Sequence, residues 1–410
     1  MSFLSDALRA VGYKSTEQQI HIIQLYHASG ALTNGTVPEQ ILSNEEVLEF
    51  IRGDKPNALT FEDDKEDLFK SPRDALRWLN DIGQKQRSRF RPVGTERQQM
   101  TTPKELEVHS DLILDKFRKL GFLDEVVPVK PDMAALLILG AAQGGVESRF
   151  DSAAQMIEAG KIRPGKIIIV SGARDLWPAD TAGTMRGETS VIDILEQRIK
   201  ELGNAPSNLR ESLQSDFDQE FSGTDPKNGS QVVEKRARIA ELISNKYNVK
   251  WPTEADMMGH LAHQHPVLSK FEICIVNAPK ISVKRGQEQV LERPNTQSTL
   301  QATVRQHGQE LMCKDVAVMS SQPHSKYQQG VVNNVMGQQY NIHMIAPKVK
   351  LDDVPPELIL VGLEAVYASV YSSKMQAEEL LKEQEEQDYK ESWQDYMRER
   401  QSIESSLELC

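Results

Sequence analysis

His324 stands four residues beyond the apolar run Asp315–Ser320, where a buried strand gives way to a loop. A histidine there can move a proton near neutral pH or donate to a phosphate. Arg149 lies in a stretch of helical spacing, and its forked guanidinium suits a phosphate, a carboxylate or an ion pair with Glu188. Glu188 falls in the first turn of a helix expected at about 188–202, where a carboxylate gains from the helix dipole and can also face a ligand as a hydrogen-bonding acid. Asn295 and Thr296 could fix a ribose or phosphate oxygen, or cap the helix expected at 297–306. A second grouping, Glu254, Asp256, His260, His263 and His265, has the donors of a zinc-like site. Its spacing is neither HExxH nor accompanied by cysteine, so we assign no metal. A polar helix end competes there with a metal-dependent hydrolase built on His260, His263 and Asp256. No residue is an obvious activated nucleophile, since Ser171 and Ser320 have no base beside them and there is no GxSxG elbow.

These side chains need a frame, and the stretch 134–172 predicts one. Ala134–Leu139 is a continuous apolar run ended by Gly140-Ala141-Ala142-Gln143-Gly144-Gly145. Ala153, Met156, Ile157 and Ala159 follow at helical spacing, Gly160 is placed to stop the helix, and Pro164-Gly165 turns the chain into a second buried strand, Lys166–Val170. This is a β-α-β unit, whose strands pair in parallel and whose ligands bind in the loops at the carboxyl ends. Gly144 and Gly145 admit close backbone approach, and the helix behind them aims its positive end at an anion. The turn is neither GxGxxG nor a P-loop. Phe271–Asn277, Asp315–Ser320 and Tyr340–Ala346 read as three further strands. The fold class is therefore α/β, a Rossmann-like mostly parallel sheet flanked by helices.

Around this frame the chain divides into a helical extension over 1–125, an α/β domain over 126–372 and an acidic tail over 373–410. In the extension, Ser15 with Gln18 and Ser43 with Glu46 match the capping box, while Ser71-Pro72 and Thr102-Pro103 read as helix starts. Gly53, Gly83 and Gly121 read as stops. The basic run Lys85–Arg91 then falls between helices, as a solvated loop or a phosphate-seeking arm. Residues 204–270 are polar, with one clear helix at 232–245, and read as an insertion. Leu358–Tyr371 reads as the closing helix of the α/β domain. The tail carries eleven Asp/Glu against five Lys/Arg over 374–410, the composition of an exposed helix or a disordered, partner-binding segment.

A net charge of −12 argues against broad nucleic-acid or anionic-membrane binding. With 39% hydrophobic and 26% charged residues the chain can bury a core. Cys274, Cys313 and Cys410 are too few and scattered for a disulfide framework, pointing to the cytoplasm or another reducing compartment. No apolar run approaches the ~18 residues of a membrane span, and the amino terminus lacks a signal-peptide pattern. The Glu-rich tail also looks like the export signal of some type IV-secreted bacterial effectors, which would allow secretion without a signal peptide.

Four pieces taken in order resemble the YdcF/SanA/ElyC-like family of bacterial α/β proteins. A strand ending Leu139-Gly140 precedes an arginine-bearing helix with Arg149, and a strand ending Ser171-Gly172 precedes Glu188. Glu292-Arg293-Pro294-Asn295-Thr296 partly matches a later element, and Ser320, Ser321 and His324 match the last strand end, with Lys326 and Tyr327 near the place of a family arginine. The resemblance covers about 133–346. It implies a ligand site at the carboxyl edge formed by Gly140, Ser171, Gly172, Asn295, Thr296, Ser320 and Ser321, beside the Gly144 and Gly145 of the turn, with Arg149, Glu188 and His324 as catalytic groups. It also implies S-adenosylmethionine as one possible cofactor. The leading expectation is an enzyme, a transferase or hydrolase, acting on a nucleotide-like, phosphorylated or otherwise anionic small molecule. Its rivals are an interaction protein acting through the helical amino terminus and acidic tail, and the metal-dependent hydrolase. On the leading expectation, Arg149→Ala and His324→Ala fold normally and lose ligand.

Overall fold

The computed structural model describes residues 2–53, 69–91, 102–176, 190–203, 205–224, 229–285, 288–349 and 357–407. They form two compact units, one of residues 124–349 and one of residues 1–123 with 350–410.

The α/β unit is built on strands β1 (Ala135–Leu139), β2 (Ile167–Gly172), β3 (Ile273–Ala278), β4 (Asp315–Met319) and β5 (Asn341–Ile345). They form one five-stranded sheet in the order β3-β2-β1-β4-β5, and every neighbouring pair is parallel. β1 and β2 are buried at every residue, as continuous apolar runs require when helices cover both faces. Leu136, Ile138, Ile167 and Ile169 face one core and Leu137, Leu139, Ile168 and Val170 the other. The chain steps outward from β1 to β3, then returns to the far side of β1 for β4. The strand order thus reverses between β1 and β4, the position where open α/β sheets form their crevice.

Helices α1 (Phe3–Ala10), α2 (Thr16–Ala28), α3 (Asn44–Arg52), α4 (Pro72–Phe90), α5 (Lys104–Glu107) and α6 (Ser110–Lys119) precede the sheet. Within and after it come α7 (Gln143–Glu158), α8 (Ser190–Glu201), α9 (Leu209–Phe221), α10 (Gly229–Tyr247), α11 (Glu254–Gln264), α12 (Thr296–Leu311), α13 (Ser325–Met336) and α14 (Glu357–Leu407). The stretch 204–270, expected to hold one clear helix, holds α9, α10 and α11. Leu209, Leu213, Phe217 and Phe221 put one apolar residue per turn into the core under β1 and β2, a stripe too narrow to stand out in a polar sequence. After β3, Ile281–Arg285 pairs antiparallel with Glu288–Glu292.

In the helical unit the capping boxes at Ser15 and Ser43 form, as does the Ser71 cap with Pro72 in the first turn. Three expectations change. Thr102 is not the cap, because α5 begins after Pro103 with no side-chain cap. Gly83 does not stop a helix, because α4 runs on to Phe90, so Lys85–Phe90 is helical and not a loop. Arg87 and Arg91 are turned inward to Oε1 of Glu364, at 3.3 and 3.0 Å, and that carboxylate is 1% exposed. A buried anion captures the basic run. Finally, Leu358–Tyr371 and the tail form the single helix α14, which packs along α4 with α1 and α6 against it. Ile359, Leu360, Leu363, Val366 and Tyr367 bury their side chains in this unit, so the apolar segment expected to close the α/β domain closes the helical one. Among the described residues no helix is long and apolar enough to cross a membrane.

Gly83 lies where α4 meets a pair of tyrosines, Tyr26 and Tyr367, whose rings pack edge to face at 4.9 Å. A Cβ at Gly83 would come within 2.9 Å of the Tyr26 hydroxyl and 3.1 Å of Tyr367 Cδ1. Alanine is worth about 1 kcal/mol over glycine inside a helix, but overpacking costs about 1–3 kcal/mol. Gly83→Ala should therefore lower the urea midpoint, and a raised midpoint would mean that the tyrosines yield at no cost.

His27 is fully buried; its Nδ1 accepts from the Leu42 amide at 3.3 Å, and its Nε2 has no hydrogen-bond partner among the described residues. Burial, with His109 adding to it and Glu46 opposing it, depresses the imidazole pKa from 6.5 to about 4. Below pH 6.5 the unfolded chain takes up a proton that the folded chain refuses until about pH 4. Stability should fall as pH drops through that window. The His27→Gln variant, whatever its stability at pH 7.5, should show a shallower decline between pH 6.5 and 4, measured by urea unfolding at several pH values; parallel declines would remove His27 from the titration.

Candidate functional site

Gly140 follows β1 and Ser320 follows β4, on either side of the strand-order reversal. α7 starts three residues after Gly140, at Gln143, and side chains on a helix lean back toward its amino end. Arg149, almost two turns in, therefore reaches back to the strand end. Nη1 donates to the carbonyls of Leu139 and of Gly140, the latter at 2.8 Å, and Nε donates to Ser321 Oγ at 2.8 Å. The residue is 4% exposed. Its guanidinium ties the end of β1 to the loop after β4, a strut where a ligand-facing cation was expected.

The loop after β4 is knit to itself. The His324 amide donates to the Ser321 carbonyl at 2.8 Å and the His324 carbonyl accepts from the Gln328 amide at 2.9 Å. Ser320 Oγ donates to Gln328 Oε1, and Ser325 Oγ to Gln322 Oε1 at 2.7 Å. His324 is the amino-terminal cap of α13 and is 9% exposed. Lys326, one residue into that helix, has its ammonium pKa lowered by burial, against the pull of Asp124.

Over the end of β2 the chemistry comes from an unexpected residue, Glu254. Its Oε1 accepts from Ser171 Oγ at 3.0 Å and its Oε2 from Arg174 Nη1 at 3.1 Å. Its amide donates to the Arg174 carbonyl at 2.8 Å. A Cβ at Gly140 would overlap Glu254 Oε1, so the missing side chain at Gly140 is what lets the carboxylate lie over the end of β1. Glu254 is the first residue of α11, whose start is set by Thr253 and Asp256 in a capping box, with the Asp256 carboxylate 2.7 Å from the Thr253 amide. That Thr-x-x-Asp spacing is a capping signal in the sequence itself, set among the histidines.

The remaining expected residues are placed as follows. Gly144 is exposed, with nothing within 4 Å of where a Cβ would stand, and Gly145 is half-buried against Ala141. α7 has Ala142 as its cap residue, which supplies no side-chain acceptor. Gly172 is crossed closely by Pro294. Asn295 is exposed and caps α12, accepting from the Ser298 amide at 2.9 Å, and Thr296 opens that helix. Glu188, with Trp177 and Arg186, lies outside the described residues. Arg149, Ser321, Gly140, Glu254 and Ser171 are thus brought together through direct contacts, whereas Asn295 serves its helix.

The histidine cluster does not converge. His260 Nε2 meets Gln264, His265 faces Asp151 at 3.4 Å, and Asp256 caps α11 while pairing with Arg198 at 2.6 Å. Among the described residues no three His, Cys, Asp or Glu side chains form a metal-ligand set. His260 and His263 instead line a cleft of about 590 Å³ with Ile194, Arg198 and Ile275.

Comparison with protein-family models, curated proteins and solved structures finds no match.

The strut role predicts, against the expectation that Arg149→Ala folds normally, a loss of stability in that variant. Removing a buried guanidinium leaves two carbonyls and a hydroxyl without their donor, at a cost of about 2–4 kcal/mol. Arg149→Lys, which cannot fork, should recover only part. Urea unfolding of both variants checks this, and an unchanged midpoint in Arg149→Ala would return the guanidinium to a ligand-facing role.

Proposed function

We propose that this protein binds a phosphorylated, nucleotide-like or otherwise anionic small molecule at the carboxyl edge of its sheet and acts on it as a transferase or hydrolase. The observation that carries the reading is the turn from Gly140 to Gly145. It lies at the strand-order reversal, opens into α7 without a side-chain cap and keeps Gly144 exposed. A helix amino terminus presents amide donors and a partial positive charge, which an anion can satisfy. The Arg149 strut below supplies further positive charge. His324, held by Ser321 at the same edge, is the group suited to proton transfer. The resemblance to the YdcF/SanA/ElyC-like proteins adds S-adenosylmethionine to the candidate ligands.

A second reading, an interaction protein, is favoured by α14. It continues as helix from Leu381, where it is still buried in its unit, to Leu407. The acidic sequence there, with Tyr389, Trp393 and Tyr396 at helical spacing, suits a protein partner.

The test is thermal unfolding of the full chain against nucleotides, S-adenosylmethionine, sugar phosphates and inorganic phosphate. A ligand at 100 times its dissociation constant stabilises the fold by about 2.7 kcal/mol, a visible shift. Because Arg149 is structural, the control is Gly144→Asp. There is room for the side chain, an acid in a first helical turn favours the helix, and its charge repels an anionic ligand. The shift should appear in the natural protein and vanish in Gly144→Asp. No shift with any compound would favour the interaction reading.

A further inference from the structure

Strand β3 is the last strand on one side of the sheet. The Glu272 carbonyl accepts from the Ile167 amide at 2.9 Å and the Ala278 carbonyl from the Ala173 amide at 2.8 Å, so the even-numbered residues between them turn their backbone groups toward β2. Ile273, Ile275 and Asn277 turn theirs outward, and no residue among those described pairs with them. Natural edges are blunted by lysine, proline, a bulge or an inward charge. Ile273–Ala278 reads Ile-Cys-Ile-Val-Asn-Ala and carries no charge or proline. At its centre Ile275 is 41% exposed. Its side chain lies against the bare backbone of Gly259 and lines the cleft of about 590 Å³ bounded by α8, α11 and this edge.

We infer that β3 takes up a sixth strand, an extended segment of another protein with a β-branched aliphatic residue opposite Ile275. Donors and acceptors at every second residue are matched by another strand, which presents its own amide and carbonyl groups with the same period. The cleft selects the side chain. A residue paired with Ile275 lies on the same face of the sheet and meets Ile194, Ala255 and Gly259. A charge there would find no partner in Arg198 or Asp256, which already satisfy each other at 2.6 Å. A second copy of this chain does not fit. Each α11 packs on β2 and β3, so two copies joined antiparallel at β3 about a two-fold axis would set their α11 helices two strand spacings apart, about 10 Å. That is the distance of directly packed helices, and it leaves no place for α8, which lies beside α11 along the cleft. A single strand needs only the width of the edge. The inference is independent of the anion-binding reading, since the cleft and the turn from Gly140 to Gly145 share no residue.

The test is fluorescence polarisation of the full-length natural protein with a short labelled peptide alternating valine and threonine. Two further probes carry N-methyl groups, one on its valine amides and one on its threonine amides. A strand bonds its neighbour through alternate residues only, so one methylated probe should bind like the parent and the other about tenfold or more weakly. That comparison needs no variant to fold. Ile275→Lys changes an exposed side chain whose own backbone groups make no bond within the sheet, so it should unfold at the natural midpoint and bind the parent peptide about tenfold or more weakly. Equal affinity of the two methylated probes, whether kept or lost, overturns the inference, because pairing through one edge cannot treat both sets of amides alike. Undiminished binding by Ile275→Lys places the peptide elsewhere and overturns it too. So does no binding of the parent peptide, and so does a dimer of the natural protein in sedimentation that Ile275→Lys separates, which would give the edge to a second copy.

Discussion

The carboxyl edge depends on one buried cation. Arg149 is withdrawn from water, and burying an unpaired charge costs several kcal/mol. It is tolerated because the end of a parallel strand offers carbonyls with no further strand residue to bond. Leu139 and Gly140 supply two such oxygens, and Ser321 supplies a third from the other side of the crevice. The consequence is geometric. Where the strand order reverses, the loops after β1 and β4 leave in different directions, and without a tie they would be free to part. A single guanidinium closes that gap.

The same logic orders the helical unit around an anion. Glu364 is buried on α14 and draws Arg87 and Arg91 inward from the last turns of α4. The two helices already share the Gly83 contact, where the tyrosines crowd against bare backbone. Apolar packing brings α4 and α14 together, and the buried carboxylate ties the end of α4 to α14 through two arginines. Breaking one partner of such a cluster is costlier than never having made it, which couples the end of α4 to α14.

This explains which parts of the molecule were legible beforehand. The strands were, because burial on both faces demands unbroken apolar runs, and Leu136–Leu139 and Ile167–Val170 can hardly be read otherwise. The end of α4 was not, since Gly83 is a stop signal by its type and a packing surface by its neighbours, and neighbours are not written locally. The basic run Lys85–Arg91 after it reads as solvated until Glu364, more than 270 positions away, is placed beside Arg87 and Arg91. At the site, the positions of Gly140 and Ser321 are legible as strand ends and that of Arg149 as helical, but the role of Arg149 depends on which way its side chain leans. Glu254 was visible only as one acid among histidines, because its partners Ser171 and Arg174 are some 80 residues upstream.

The chain's overall acidity and its proposed anion site are compatible for a reason of range. At physiological ionic strength a charge is screened within about 8 Å, so a net charge of −12 spread over two units scarcely sets the potential inside one crevice. What matters there is the local account: the amino end of α7, Arg149 beneath it and Arg174 beside it, against the carboxylate of Glu254, to which Arg174 is committed, and that of Glu147, which accepts from the Gln143 side chain at the start of α7. Screening leaves those few groups, and not the chain's total charge, to set how an anion would be met there.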